Sequence, residues 1–268
     1  MTTVHHTAIV HPTAKIHPTV LVGPYAIIGE DTVIGADSTI GAHAHVEHVH
    51  MGKNNKIMGG SFVGVPPQDL KYAGEKTRLV MGDNNTVREC ATLNRGTTAT
   101  GETRIGSNCL FMAYSHVAHD CRIGNNVILV NSVALAGHVE VGDFSVLGGI
   151  CAVHQFVRIG PMVMISGGSM VGKDIPPFCV AQGDRATLRG LNVVGLRRSG
   201  LPRDVTSAVR DAYKTLFLRG LTIENAIAEL KAGSPPKEVL GMIAFIEASK
   251  RGVMRPATGA QAEEEVAL

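Results

Sequence analysis

The chain contains no tryptophan, and aromatic residues make up only 4% of its 268 positions. Aliphatic side chains must therefore fill its core, which suits a stack of similar layers better than an irregular globule. The net charge of +2 argues against a surface that coats nucleic acid. The sequence lacks both an apolar run long enough to span a bilayer and the apolar stretch of a signal peptide near its start. We therefore expect a cytoplasmic protein with no membrane span and no nucleic-acid partner.

The cysteines are odd in number and lack the spacing of a zinc site or a CxxC motif. Most of them lie within a six-residue repeat of apolar residues, where cysteine serves as a small apolar residue. This composition fits a reducing compartment, and we expect no metal. The five are Cys90, Cys109, Cys121, Cys151 and Cys179.

An apolar residue recurs every six positions over most of residues 4–182. The longest uninterrupted run begins at Ile105 and ends at Val171, and glycine or another small residue often follows the apolar one. An earlier run begins at Val10, shifts by one residue after Val46 and resumes at Met51. No amphipathic helix has a period of six, so the repeat indicates a coil that stacks on itself.

The fold known for such hexads has three short parallel strands per coil, so that one turn takes about 18 residues and the coils stack ~4.8 Å apart. Residues 18 apart then lie above one another. The flat, half-apolar sides of a three-sided prism favour a threefold trimer.

Two polar segments break the repeat, near 65–78 and 94–104, and loops that a regular coil does not need are candidates for contacts. The repeat ends near residue 184. Beyond it, spacing and proline positions predict a helix that starts near Pro202, a second over Leu221–Lys231 and a third over Pro235–Lys250. The polar tail GAQAEEEVAL is predicted to fray. We therefore predict a β domain over 1–184 and a helical domain over 185–268.

Histidines are concentrated where the coil turns. Eighteen residues after His119 comes Gly137, beside His138, and another 18 lead to Gln155, beside His154. These positions are expected to stack along one edge over ~10 Å, two strand spacings, with His116 on the same coil. Most other turn positions hold glycine, asparagine or aspartate, so we favour a functional groove over histidines that the turn merely tolerates.

This edge could perform acid–base chemistry on a hydroxyl. A neutral imidazole at His119 can take a proton from a hydroxyl, and Asp120 could orient the ring. The N–H of Gly137 could face a developing oxyanion, because no side chain obstructs it. No serine or cysteine nucleophile motif is present, which favours direct transfer from an activated donor to a hydroxyl.

Three other patterns need weighing. A zinc site in HAHVEHVH (His43, His45, His48, His50) is disfavoured, because these residues spread over half a coil. GGSMVGKD has the spacing of a phosphate-binding loop but lacks its Ser or Thr and its strand–loop–helix context, so we reject it. Arg197 and Arg198, expected on a turn before a helix, could bind a pyrophosphate, although a solvated helix face is the alternative.

The hexads, with QDLKYAGE, HVAHDC, LAGHV, AVHQF and GLRRSG in this order, resemble the UDP-N-acetylglucosamine O-acyltransferase family over nearly the whole chain. The resemblance implies a mainly β fold: a left-handed parallel β-helix with a C-terminal α-helical domain. It implies a homotrimer with active sites between subunits. It also implies transfer of a 3-hydroxyacyl chain from acyl carrier protein to the glucosamine 3-hydroxyl, the first step of lipid A synthesis. No cofactor is implied beyond the phosphopantetheine that the carrier protein brings.

By motif, His119 resembles the family's general base, Asp120 its partner and Gly137 the oxyanion amide. Two departures stand out: Asn94 replaces a frequent histidine, and Ser199 replaces a second arginine. Gly167 and Gly168 lie where the family measures acyl length, and Gly167 implies a deep tunnel and a longer chain. The remaining residues that the resemblance assigns to substrate binding are Asp69, Lys71, Asn94, His116, His138, His154, Gln155, Asn192, Arg197 and Arg198.

Two alternatives stay open. The N-acyltransferase of the same pathway shares the fold but carries a separate N-terminal domain, for which hexads starting near residue 10 leave no room. A non-catalytic hexapeptide scaffold, or a carbonic-anhydrase-like trimer, would have no use for QDLKYAGE or for the basic helical region.

Overall fold

A computed structural model describes residues 3–257 and shows a coil of three parallel sheets followed by helices. The apolar residue that opens each hexad points into the coil. All twelve openers from Ile105 to Val171 are at most 4% exposed. The hexad pattern is thus an interior pattern, in which one apolar side chain per strand fills the coil and the backbone bonds to the coils above and below.

The strands, numbered along the chain, are β1 (Thr3–Val4), β2 (Ile9–Val10), β3 (Lys15–Ile16), β4 (Leu21–Val22), β5 (Ile27–Ile28), β6 (Val33–Ile34), β7 (Thr39–Ile40), β8 (His45–Val46), β9 (Val49–Met51), β10 (Lys56–Ile57), β11 (Phe62–Val65), β12 (Arg78–Met81), β13 (Thr86–Val87), β14 (Thr92–Asn94), β15 (Glu102–Ile105), β16 (Leu110–Phe111), β17 (His116–Val117), β18 (Arg122–Ile123), β19 (Ile128–Leu129), β20 (Ala134–Leu135), β21 (Glu140–Val141), β22 (Val146–Leu147), β23 (Ala152–Val153), β24 (Arg158–Ile159), β25 (Met164–Ile165), β26 (Met170–Val171), β27 (Cys179–Gln182) and β28 (Thr187–Leu191). The helices are α1 (Val193–Arg198), α2 (Arg203–Phe217), α3 (Ile223–Ala232) and α4 (Lys237–Glu247).

Each coil contributes one strand to each sheet. Sheet A runs β1-β4-β7-β10-β13-β16-β19-β22-β25-β27-β28, sheet B runs β2-β5-β8-β11-β14-β17-β20-β23-β26, and sheet C contains β3, β6, β9, β12, β15, β18, β21 and β24. In the regular region the partners are 18 residues apart, as His116 and Ala134 are. The predicted one-residue slip appears as the pairing of Lys56 with Thr39.

Both breaks in the hexad pattern are loops on the same side of the prism. The first, residues 66–77, joins β11 of sheet B to β12 of sheet C, and the second, residues 95–101, joins β14 to β15 between the same two sheets. We call this corner the B–C edge. It contains Asp120, His138 and Phe156 of successive coils, with φ angles of 59°, 60° and 67°. The other corners are the A–B edge, with Ile150 and Gly168, and the C–A edge, with Asn126 and Met162.

The end of the coil differs from the prediction. Strand β28 turns back antiparallel on β27 and extends sheet A to Leu191, so the predicted division at 184/185 falls within this hairpin turn. The chain later returns to the coil through a bridge between Asp174 and Val253. The helices α1–α4 form a second core around Leu196, Ala212 and Met242.

The helices are close to the predicted ones, with small differences at their ends. Helix α2 starts after Pro202 as expected. Helix α3 starts at Ile223, because the side chain of Thr222 accepts the N–H of Asn225 and caps it. Helix α1 was not predicted. The predicted tail GAQAEEEVAL lies outside the described residues, and within residues 3–257 no helix is both long and apolar enough to cross a bilayer.

Candidate active site

The B–C edge aligns the predicted histidines of successive coils. The N–H of His138 donates to the carbonyl oxygen of His119 at 3.0 Å, and the N–H of Phe156 donates to that of Gly137 at 3.1 Å. These bonds place His119, Gly137 and Gln155 above one another, as the 18-residue spacing predicts. His154 directly follows strand β23 and is exposed, with Nδ1 3.1 Å from the carbonyl oxygen of Gln155.

His119 and Asp120 form a buried pair. Nδ1 of His119 lies 2.7 Å from Oδ2 of Asp120, a residue that is only 3% exposed. Burial raises the pKa of Asp120, but hydrogen bonds from Thr100, His119 and Thr97 outweigh burial and hold this pKa below its ordinary value. An ionised carboxylate only accepts hydrogen bonds, so in the neutral imidazole Nδ1 carries the proton and Nε2 keeps a free lone pair.

Gly137 provides both the space and the donor beside that lone pair. A Cβ at this position would lie 2.5 Å from Cε1 and 2.7 Å from Nε2 of His119, so the ring fits only because residue 137 has no side chain. The N–H of Gly137 makes no hydrogen bond within residues 3–257. A proton acceptor and an unused N–H therefore lie side by side, as acyl transfer requires.

His138 and His116 flank this pair. The ring of His138 stacks on Phe156 at 4.6 Å and meets the His119 ring edge-on at 5.3 Å. Burial lowers the pKa of His138, and the charges of Asp120 and Asp69 only partly offset this effect. Nδ1 of His116 lies 2.7 Å from Oγ1 of Thr92, and burial followed by the proximity of His119 lowers its pKa. At pH 7 both rings are therefore neutral and can donate and accept hydrogen bonds.

The loop 66–77 brings Asp69 to the same edge. Asp69 is half-buried, its Oδ1 accepts the N–H of Lys71 at 3.0 Å, and its charge acts on His138. Lys71 is exposed. The loop therefore brings the Asp69 carboxylate within electrostatic reach of His138, with Lys71 close to it in the chain.

Arg95 anchors this loop, a role that the sequence did not reveal. Nη1 of Arg95 donates to Oε1 of Glu47 and to the carbonyl oxygen of Gly64, both at 2.9 Å. Nε and Nη2 donate to the hydroxyl oxygen of Tyr72 at 3.1 and 2.9 Å, and that hydroxyl donates to the carbonyl oxygen of Glu75 at 2.9 Å. Arg95 is 7% exposed. The only feature of the sequence that pointed to Arg95 was the TLNRG segment in which it lies.

Asn94 is buried beneath the loop. It is 1% exposed, and its Nδ2 donates to the carbonyl oxygen of Pro66 at 3.1 Å. Its Oδ1 has no hydrogen-bond partner among residues 3–257. The structure thus gives Asn94 a loop-holding contact, and a contact with substrate stays a prediction.

Five predicted site residues lie away from the B–C edge of the same subunit, three at other edges and two in helix α1. Gly167 and Gly168 occupy the A–B edge. Asn192 lies at the C–A edge, where Nδ2 donates to the carbonyl oxygen of Met162 and Oδ1 accepts the N–H of Gly195, both at 2.9 Å. Arg197 and Arg198 are exposed in the last turn of α1, so their predicted position on a turn before a helix was wrong. One subunit does not bring these residues to His119.

The four histidines of HAHVEHVH, whose spacing disfavours a zinc site, do not converge. His43 stacks on Tyr25 at the A–B edge, whereas Nε2 of His48 lies 3.1 Å from Glu30 at the B–C edge. Within the described part of the chain, the three residues whose ligand atoms lie within 4.8 Å of one another are His119, Asp120 and His138. Both carboxylate oxygens of Asp120 already accept hydrogen bonds, which favours acid–base chemistry over metal binding there.

Comparisons with known proteins decide the family. The model described as UDP-N-acetylglucosamine O-acyltransferase, domain 2, matches residues 174–254, and the bacterial transferase hexapeptide model matches 13–48 and 102–137. An acyl-[acyl-carrier-protein]–UDP-N-acetylglucosamine O-acyltransferase of Burkholderia orbicola is 47% identical over 211 residues, covering 76% of this chain and 80% of that protein. The enzyme of the same name from Aliarcobacter butzleri is 48% identical over 204 residues, covering 76% and 78%. The chain belongs to the UDP-N-acetylglucosamine O-acyltransferase family.

Solved structures of this family have the same fold. The UDP-N-acetylglucosamine O-acyltransferase of Moraxella catarrhalis superposes with a TM-score of 0.92 at 39% identity, covering 94% of this chain and 99% of that one. The UDP-N-acetylglucosamine acyltransferase of Campylobacter jejuni gives 0.90 at 39% identity, covering 95% and 100%. The predicted family and the predicted left-handed β-helix with C-terminal helices are thereby confirmed.

Proposed function

We propose that this protein transfers a 3-hydroxyacyl group from acyl carrier protein to the glucosamine 3-hydroxyl of UDP-N-acetylglucosamine, the first step of lipid A synthesis, in the cytoplasm. One observation carries the proposal beyond family membership: the ring of His119 lies against Gly137, a residue without a side chain whose N–H makes no hydrogen bond within residues 3–257. This pair matches the needs of transfer from a thioester to a hydroxyl without a covalent enzyme intermediate.

The reaction follows from these two groups. Nε2 of His119 takes the hydroxyl proton while the hydroxyl oxygen attacks the thioester carbonyl carbon. The carbonyl electron pair moves onto its oxygen, which then accepts the N–H of Gly137. When the carbon–sulfur bond breaks, the leaving thiolate of phosphopantetheine takes the proton from the imidazolium, and the ester remains on the sugar. Asp120 stabilises the imidazolium while it exists.

The remaining polar residues fit a sugar-nucleotide site. We assign the sugar to His138, His116, Asp69 and Lys71, because these groups lie at or near the B–C edge and include neutral imidazoles, a carboxylate and an ammonium group. Gln155 and His154 extend the same edge by one coil. In this proposal Asn192, Arg197 and Arg198 bind the nucleotide and its phosphates from a neighbouring subunit.

A homotrimer would complete the site. The outer row of sheet A is apolar over four successive coils, with Leu110, Ile128, Val146 and Met164 in paired register. The outer row of sheet C is charged instead, with Arg104, Arg122, Glu140 and Arg158. This asymmetry supports packing of neighbouring subunits through sheet A, and the nucleotide residues on the C–A edge then need a second subunit to meet His119.

The test is product identification. The protein is incubated with UDP-N-acetylglucosamine and hydroxyacyl carrier proteins of graded length, and the products are identified by mass. We expect an O-linked ester that mild base cleaves, with longer donors preferred because Gly167 leaves the acyl tunnel deep. A base-stable amide product, or the absence of any acylated nucleotide, would contradict the proposed function, whereas preference for a short donor would contradict only the acyl length.

A further inference from the structure

The carboxylate of Asp120 is held by the second loop, residues 95–101, as well as by His119. Oδ1 of Asp120 accepts the N–H of Thr97 at 3.0 Å and lies 2.5 Å from Oγ1 of Thr100. Oδ2 accepts the hydroxyl of Thr97 at 2.7 Å and Nδ1–H of His119 at 2.7 Å. Three of these four hydrogen bonds come from a loop that breaks the hexad pattern and that the proposed mechanism has not used.

The geometry directs the proton of Thr97 at Asp120. Oγ1 of Thr97 accepts the N–H of Ala99 at 3.2 Å, so its single hydrogen is free for the carboxylate. The hydroxyl of Thr100 also lies 2.9 Å from the carbonyl oxygen of Glu102 and shares its hydrogen between two acceptors. Thr100 makes the shorter contact, but only Thr97 places both a backbone and a side-chain donor on the carboxylate.

The loop itself is fixed in place. The N–H of Gly101 donates to the carbonyl oxygen of Thr97 at 2.7 Å, and the N–H of Gly96 donates to that of Arg78 at 3.1 Å. A Cβ on Gly96 would lie 2.5 Å from the backbone nitrogen of Glu102, so the chain packs closely there. A loop so constrained can hold a carboxylate in one orientation, which a flexible loop could not.

We propose that Thr97, assisted by Thr100, is a positioning residue that fixes the Asp120 carboxylate and through it the tautomer and orientation of the His119 imidazole. This inference rests on the proposed function. Without the Thr97 hydroxyl, Oδ2 keeps His119 as its one hydrogen-bond partner, with Nε2 of His138 3.6 Å away, and the carboxylate is held less firmly in the plane of the ring. Nε2 then no longer points steadily at the substrate hydroxyl.

The test compares Thr97→Val, Thr97→Ser and Thr98→Val. Valine keeps the shape of threonine without its hydroxyl, serine keeps the hydroxyl, and Thr98 is an exposed neighbour whose side chain makes no hydrogen bond to Asp120. We expect Thr97→Val to lower kcat about 10- to 100-fold with KM unchanged, the range expected for a hydrogen bond to a charged group. Thr97→Ser keeps the hydroxyl, and Thr98→Val changes only a surface side chain. Both variants should therefore keep kcat within about threefold of the wild type.

A double-mutant cycle with Asp120→Asn separates positioning from general damage. If Thr97 acts through Asp120, Thr97→Val should change kcat less than about twofold in the Asp120→Asn background. An equal loss in both backgrounds, or wild-type kcat in Thr97→Val, would overturn the inference. Should Thr97→Val fail to fold, Thr100→Val undergoes the same cycle with a smaller expected loss.

A spectroscopic measurement keeps the inference separate from the proposed function. In ¹⁵N-histidine NMR without substrate, with the His119 signal assigned from a His119→Gln variant, the wild type should show one Nδ1–H tautomer and Thr97→Val a mixture. A single tautomer in both proteins would refute the positioning role. Inactive wild-type protein with the expected spectra would refute the proposed function alone.

Discussion

The imidazole of His119 occupies the space that a side chain on residue 137 would fill, since a Cβ on Gly137 would lie 2.5 Å from its Cε1 atom. Two coils of the β-helix thus meet in the contact to which we assign catalysis. The ring comes from one coil, and the glycine beneath it, with its unused N–H, comes from the next.

Gly137→Ala tests this contact. The added methyl group must push the imidazole away while leaving the N–H in place, and a displacement near 1 Å can cost about 10²-fold in rate. We expect kcat to fall by that factor with little change in KM. Gly172→Ala is the stability control, because no atom lies within 4 Å of the position that its Cβ would take. Unchanged kcat in Gly137→Ala would show that the ring does not need this space.

The hydrogen bonds between Arg95 and Tyr72, which anchor the loop 66–77, lead to a second prediction. Tyr72→Phe removes the hydroxyl that accepts two hydrogen bonds from Arg95. The loop that carries Asp69 and Lys71 then loses the contacts that fix it to Arg95. A hydrogen bond to a charged group contributes ~1.5–3 kcal/mol, so KM for UDP-N-acetylglucosamine should rise about tenfold or more while kcat changes little. Steady-state kinetics measure both constants. Tyr25→Phe, at an exposed tyrosine of the A–B edge, should leave both unchanged.

Subunit mixing tests whether the site is shared. His119→Ala and Arg198→Ala should each be nearly inactive alone. If adjacent subunits supply the two residues, each mixed trimer holds two copies of one variant and one of the other, and one of its three interfaces joins an intact His119 to an intact Arg198. Such trimers should regain about a third of the wild-type activity. The variants are co-expressed with two different tags and purified on both. Activity no higher than that of the separate parents would place both residues in one subunit.

Alkylation tests the packing of the coil. Burial raises the pKa of Cys109 to about 11 and that of Cys121 to about 12, and it also raises the pKa of Cys151 and Cys179. At pH 7.5 these thiols are protonated and enclosed, whereas Cys90 is exposed. Mass spectrometry after iodoacetamide treatment should show at most one adduct on the folded protein, at Cys90. Five adducts should form in urea, and modification of Cys109 or Cys121 without denaturant would contradict the packing.

Much of the fold follows from the sequence, because few protein structures repeat an apolar residue every six positions. The position of every opener from Ile105 to Val171 in the coil interior, and the alignment of His119 with Gly137 and Gln155, follow from counting in steps of 18. The hairpin of β27 and β28 was missed, because no repeat marks an antiparallel return.

The contacts of the site that follow from the six-residue repeat could be predicted. The contacts that the two loops make could not. Asp120 and His119 are neighbours in sequence, so their contact could be anticipated. The contacts of Arg95 with Glu47 and of Thr97 with Asp120 span 48 and 23 residues and depend on how two irregular segments fold. Asn94 illustrates the same limit, because its burial beneath Pro66 depends on the loop rather than on strand β14.

The central claim is that His119 is the base that takes the hydroxyl proton. Its most direct test is the rate of ester formation by His119→Ala, compared with the wild type under saturating substrates. A lost general base costs ~10²–10⁴-fold, and we expect a fall of this size in a protein that remains folded. Near wild-type turnover by the variant would contradict it.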